Sequence, residues 1–147
     1  MNSYNPSQVL NGTYGEVWLN DDYLAETTGL EAKASVKKSD VAMVRKLAPG
    51  KKITGVENKG TLKLNHVSSN MKKKIADAIK GGKTPVFTII SALADPDAIN
   101  GQTERVKLSG VTFDEVALID FENGKLGEES YAFEFEDFEF LDTIDAE

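Results

Sequence analysis

Carboxylates are the most abundant reactive groups in this 147-residue chain, and several are spaced in pairs. Asp120 with Glu122, and Glu134 with Glu136, are i, i+2 pairs, which lie on one face of a strand. A glycosidase needs two carboxyl groups flanking a bond, one protonated and one ionised. Solvated strand faces produce such pairs routinely, so spacing alone does not assign that role. His66 is the only histidine, and no partner motif follows it. Acid–base work requires a positioned partner, which the sequence around His66 does not supply. Gly81-Gly82-Lys83-Thr84 resembles a phosphate loop superficially. It lacks the earlier glycine and follows a helix pattern instead of opening one, so it reads as a helix end. Asp95-Pro96-Asp97 offers oxygen ligands without the rest of a calcium loop and reads as a turn. The chain has no cysteine, which excludes disulfides, thiolate catalysis and Cys-based zinc sites. No catalytic residue, cofactor or metal is expected, and a hydrolase is the weakest of the readings.

The charges are sorted along the chain. Residues 33–83 carry 14 Lys/Arg against 3 Asp/Glu, and residues 84–147 carry 3 against 16. The net charge of −7 argues against broad wrapping of duplex DNA. A basic face and an acidic face on one domain are complementary to a second copy of that domain. Met1 to Gly12 has no basic or apolar segment of the signal-peptide type. The longest apolar stretch, Val86 to Ala94, is too short to span a bilayer, so no membrane partner is expected.

The elements that carry these residues are mostly strands. Residues 1–13 are polar and read as an N-terminal arm, leaving residues 14–147 as one β domain. Tyr14 to Leu19 reads as a strand, and Tyr23 to Lys38 as a second with Leu30, Ala32, Ala34 and Val36 on one face. Residues 39–59 show no sustained period and read as a long loop. Its apolar residues suit a segment that folds against another subunit, with Met43, Arg45, Lys46, Leu47, Lys51 and Lys52 as inter-subunit candidates. Gly60 to Val67 returns to strand pattern. Ser69 is a suitable N-cap for a helix over Asn70 to Lys80, where Met71, Ile75 and Ile79 form one stripe. Thr84 to Leu93, Thr103 to Leu108 and Val111 to Phe121 read as strands, the last two separated by a Ser109-Gly110 turn. Tyr131, Phe133 and Phe135 alternate with polar residues, but Phe138 and Phe140 fall on the other phase. A one-residue bulge near Asp137 would return both to the core face and leave Glu134, Glu136 and Glu139 together on the opposite side. The expected fold is mainly β (α+β), an antiparallel sandwich or open barrel of about seven strands with one packed helix.

Four segments point to a family: Gly15-Glu16-Val17-Trp18-Leu19, Gly60-Thr61-Leu62 running into His66-Val67-Ser68-Ser69, Thr103-Glu104-Arg105-Val106 leading to Val111-Thr112-Phe113-Asp114, and Phe133-Glu134-Phe135-Glu136-Asp137-Phe138. Together they resemble the tail tube protein of contractile-tailed phages, in the form found in PBSX-like defective prophages and contractile bacteriocins. The likeness runs from about Gly12 to Ile144 and matches residues 40–59 least. It implies six-membered rings stacked into a tube beneath a sheath, with sheath, baseplate and tail-terminator proteins as partners and DNA only as transient cargo. It also implies a particle assembled in the bacterial host cytoplasm. An acidic lumen would repel phosphates, which makes Glu134, Glu136 and Glu139 candidates for the lumen face, with a face toward the sheath as the equal alternative. A type VI secretion-like tube subunit is a rival within the same class. A monomeric β-barrel holding a small apolar ligand is a rival from another class.

Overall fold

The computed structural model describes residues 3–146. Residues 1 and 2 of the arm, and residue 147, lie outside them. Eight strands and one helix follow in the order β1 (Gly15–Leu19), β2 (Asp22–Tyr23), β3 (Thr27–Val41), β4 (Gly50–Asn65), α1 (Asn70–Lys80), β5 (Phe87–Leu93), β6 (Glu104–Phe113), β7 (Glu128–Glu134) and β8 (Asp137–Asp142). All pairings are antiparallel, in the order β2-β1-β5-β6-β7-β4-β3, with β8 also on β6.

Strand β6 joins the two halves. One edge pairs with β5, while the other pairs with β7 at Phe113↔Phe133 and Thr112↔Glu134, then with β8 from Ser109↔Asp137 to Val106↔Phe140. Between these stretches β6 bends at Gly110, whose φ is +65°. A Cβ there would sit 2.8 Å from the Glu136 side chain, so the bend requires glycine on two grounds. The expected Ser109-Gly110 turn is therefore a bulge inside one continuous strand. No strand follows it in 114–127: the ladder ends where the Asp114 N–H donates to Ala132 O (2.9 Å).

The core holds Leu19, Leu62, Leu64, Ile89, Val111, Tyr131 and Phe133, with Met71 and Ile75 of α1 closing one side. Phe113 lies edge-on to Phe87, Tyr131 and Phe133, with ring centres 5.3 to 6.0 Å apart. The helix runs over the expected residues, but Ile79 is exposed and only two positions of the stripe are buried. Ser69 holds the N-cap position without a side-chain capping bond. Buried Asp95 fastens the arm: its carboxylate accepts from the Asn11 N–H and the Asp97 N–H, both at 2.9 Å.

The largest departure from expectation concerns residues 39–59. They are not a loop. β3 and β4 pair from Thr27↔Leu64 to Val41↔Gly50, with register shifts after Thr27 and after Lys37, and only residues 42–49 connect them. Among the described residues no second strand pairs with β4 beyond Lys59, so the two project as a two-stranded ribbon. Eight residues per arm give it a reach of roughly 27 Å. Both of its faces are largely solvated, which removes the period-2 signal that identifies a half-buried strand.

Candidate assembly surfaces

The ribbon presents the six residues expected to meet another subunit, in two different settings. Met43, Arg45, Lys46 and Leu47 sit in the connection 42–49, where the Lys46 N–H donates to Met43 O (3.3 Å) and Arg45 takes a left-handed φ of 66°. Leu47 and Val44 are almost fully exposed. Lys51 and Lys52 lie in β4, not in a loop. Lys51 pairs with Asp40 across the ribbon, and Lys37 lies 3.8 Å from Glu57. Such exposed pairs contribute little on their own. An isolated two-stranded ribbon is marginally stable in water, so this one gains from any surface that covers it.

The edges of the sheet are equally open. Among the described residues β3 pairs as a strand only with β4, and β8 only with β6. A fifteen-residue strand with a free edge offers a row of unpaired N–H and C=O groups to another chain.

Glu134, Glu136 and Glu139 are all exposed. Glu134 alternates with buried Phe133 and Phe135, and Glu139 lies between Phe138 and Phe140, opposite Lys107. Glu136 sits in the break between β7 and β8, its side chain over Gly110 and its N–H donating to Ser109 O (3.0 Å). The expected break in alternation is thus present near Asp137, and Phe138 and Phe140 do turn to the side of Phe135. They do not reach the core, however. The two residues remain 43% and 57% exposed, because none of the described residues covers that end of the sandwich.

His66 has a partner that spacing did not reveal. Its Nδ1 lies 3.4 Å from Oε2 of Glu129, a buried carboxylate at the start of β7. Tyr131 donates its hydroxyl to Oε1 of the same group at 2.5 Å. Burial, then the hydrogen bond and the adjacent negative charge, raise the Tyr131 phenol above its ordinary range. Glu129 and Tyr131 are i, i+2 neighbours on β7, and β4 brings His66 beside them, a pairing visible only across strands. The trio ties β7 near its start to the end of β4. Among the described residues no group of three or more His, Asp or Glu is placed to hold a metal ion, and no helix is long and apolar enough to cross a membrane.

A phage tail tube protein family model matches residues 2–142. The chain belongs to that family. The tail tube protein is 33% identical over 138 residues to phage-like element PBSX protein XkdM of Bacillus subtilis (strain 168), covering 92% of each chain. Its fold is similar to a chain of the sheath–tube complex of an extracellular contractile injection system (PVC) in the extended state. There the TM-score is 0.72 at 10% identity, over 96% of this chain and 100% of the other. A chain of the anti-feeding prophage tube-terminating cap gives a TM-score of 0.73 at 11% identity, over 97% and 95%. The protein is a tail component of a phage or phage-like particle, and its family points to a structural role.

Proposed function

We propose that the tail tube protein closes into six-membered rings that stack into a hollow tube, with no catalytic role of its own. One observation carries this reading: the long strand β3, open along its outer edge, continues into a ribbon that has no second neighbour among the described residues. Closure of a ring removes open edges, and a contact that also repeats along the axis gives a filament. Lys46, Lys51 and Lys52, with Met43, Arg45 and Leu47, reach a neighbouring ring. Lys51 exchanges its Asp40 partner for an acidic group there at small net cost. Glu134, Glu136 and Glu139 face the lumen, where carboxylates repel phosphates and let DNA slide. Sheath, baseplate and tail-terminator proteins are the other partners, and assembly takes place in the host cytoplasm.

The reading is tested by growing tubes from a nucleating particle end and pelleting them. The wild-type chain is expected to sediment as rods. Replacing Glu134, Glu136 and Glu139 together with Gln is expected to leave the pelleted fraction unchanged. Loss of rods in that variant would move these residues from the lumen to an interface, and failure of the wild type to assemble would remove the tube itself.

A further inference from the structure

One end of the sandwich is open and apolar. Between β3 and β8, Ala32 and Ala34 face Leu108, Phe138 and Phe140 across a groove of about 240 Å³, with Phe135 also in its lining. The apolar row continues onto the ribbon, since Ala34, Val36 and the Val36↔Val56 pair follow Ala32 on the same face. Both valines are about half exposed.

An unmatched apolar segment, residues 114–127, leaves β6 beside Ala132 and enters β7 at Glu128, whereas the groove lies beyond the other end of β7. Ile119 and Phe121 in it are 81% and 88% exposed, so neither fills the chain's own groove. Lys72 of α1 donates to Leu118 O (3.1 Å). Large exposed apolar side chains next to each other mark a surface awaiting a partner. The charges of the two surfaces are opposite. Residues 33–59, which include the ribbon, carry 8 Lys/Arg against 2 Asp/Glu, and residues 114–128 carry 5 Asp/Glu against 1 Lys.

We propose that Phe121, with Ile119 beside it, occupies the Ala34–Phe138–Phe140 groove of a second copy, an inference that rests on the self-assembly proposed above. In an extended segment Asp120 and Glu122 lie on the side opposite Phe121 and are free to meet the ribbon's cations. Lys38 is the first of these on the groove face. The Glu122–Lys125 pair (2.9 Å) is exposed and exchanges readily. A head-to-tail contact between unlike surfaces of one molecule closes into a ring where its rotation allows and otherwise propagates as a filament.

The chain has no cysteine, so a cystine formed between two introduced residues reports their proximity without background. Phe121→Cys and Ala34→Cys are made in separate proteins, both at exposed positions, and their folding is checked by far-ultraviolet circular dichroism. The two are mixed, assembled from a nucleating end and oxidised. A covalent heterodimer within rods is the expected result. A heterodimer without rods would keep the loop-in-groove contact and discard the tube. Rods without the heterodimer would discard the contact and keep the tube, and neither product would discard both. Independently, Phe121→Ser is expected to raise the protein concentration needed for rods about tenfold or more, the loss of one buried phenyl ring. Val86→Ser, at another exposed apolar position, is expected to leave it unchanged. Equal effects of the two substitutions would contradict the specific contact.

Discussion

Gly60→Ala is expected to destabilise the isolated subunit far more than a single methyl group suggests. Gly60 lies in β4 between Ala32 of β3 and Phe133 of β7. An added Cβ would fall 2.5 Å from Glu31 O and 2.7 Å from Phe133 Cε2, and closer still to Phe133 Cζ. Neither neighbour can yield. Glu31 O is backbone within the β3–β4 pairing, and the Phe133 ring is buried against Phe113 and Phe135 at 6.0 and 6.2 Å. Overpacking of this kind costs about 1–3 kcal/mol. Loss of glycine's freedom in the unfolded chain returns about 0.4–1 kcal/mol. The net loss is on the order of 1–2 kcal/mol. With a urea m-value of about 2 kcal/mol/M, the unfolding midpoint should fall by roughly 0.5–1 M at unchanged slope. Phe133→Leu in the same background should recover part of the loss, and the double-mutant cycle should give a coupling above about 0.5 kcal/mol. An unchanged or raised midpoint for Gly60→Ala would refute the reasoning, because it would mean that β4 and β7 are not pressed together at this ring.

Asp95→Ala should lower stability by about 1–3 kcal/mol by orphaning the Asn11 and Asp97 N–H groups, read as a lower melting temperature with faster amide exchange at Asn11. Tyr131 gives a pH dependence. Its phenol holds its proton more tightly in the folded chain, so its contribution is intact below the unfolded value near 10 and is lost as pH rises beyond it, by up to about 1.4 kcal/mol per pH unit. Tyr131→Phe should flatten that alkaline limb in urea titrations between pH 9 and 11. Lys46→Glu with Lys52→Glu should block tube growth while leaving the subunit's melting temperature unchanged. Normal growth would remove the ribbon from the inter-ring contact.

The helix and the central strands were legible because burial imposes period on sequence: Met71 and Ile75 recur at four, and Tyr131, Phe133 and Phe135 at two. The break in phase at Asp137 was legible for the same reason. Its consequence was not. Phe138 and Phe140 turn to the apolar side of a sandwich that the described residues leave open, and alternation in a sequence does not say whether the side it marks is covered. The ribbon was hidden by the converse effect, since its second strand, Lys51 to Asn58, is largely wet on both faces and carries no alternation. Residues 114–121 misled in a third way. Val111 to Phe121 is rich enough in apolar residues to read as a strand, yet Leu118, Ile119 and Phe121 are exposed and unpaired. The sorted charges already mark a basic segment and an acidic one, and the fold gives each its own exposed part, the ribbon beyond the end of β7 and residues 114–128 between β6 and the start of β7. His66 looks solitary in the sequence because Glu129 reaches it across strands, 63 residues along the chain.

The most direct measurement is end-on electron microscopy of the full-length protein grown from its particle's nucleating end. Six subunits around an open channel, with the β3 edge of each covered by a neighbour, is the predicted view. Subunits that stay single under those conditions, or solid aggregates with no channel, would contradict it.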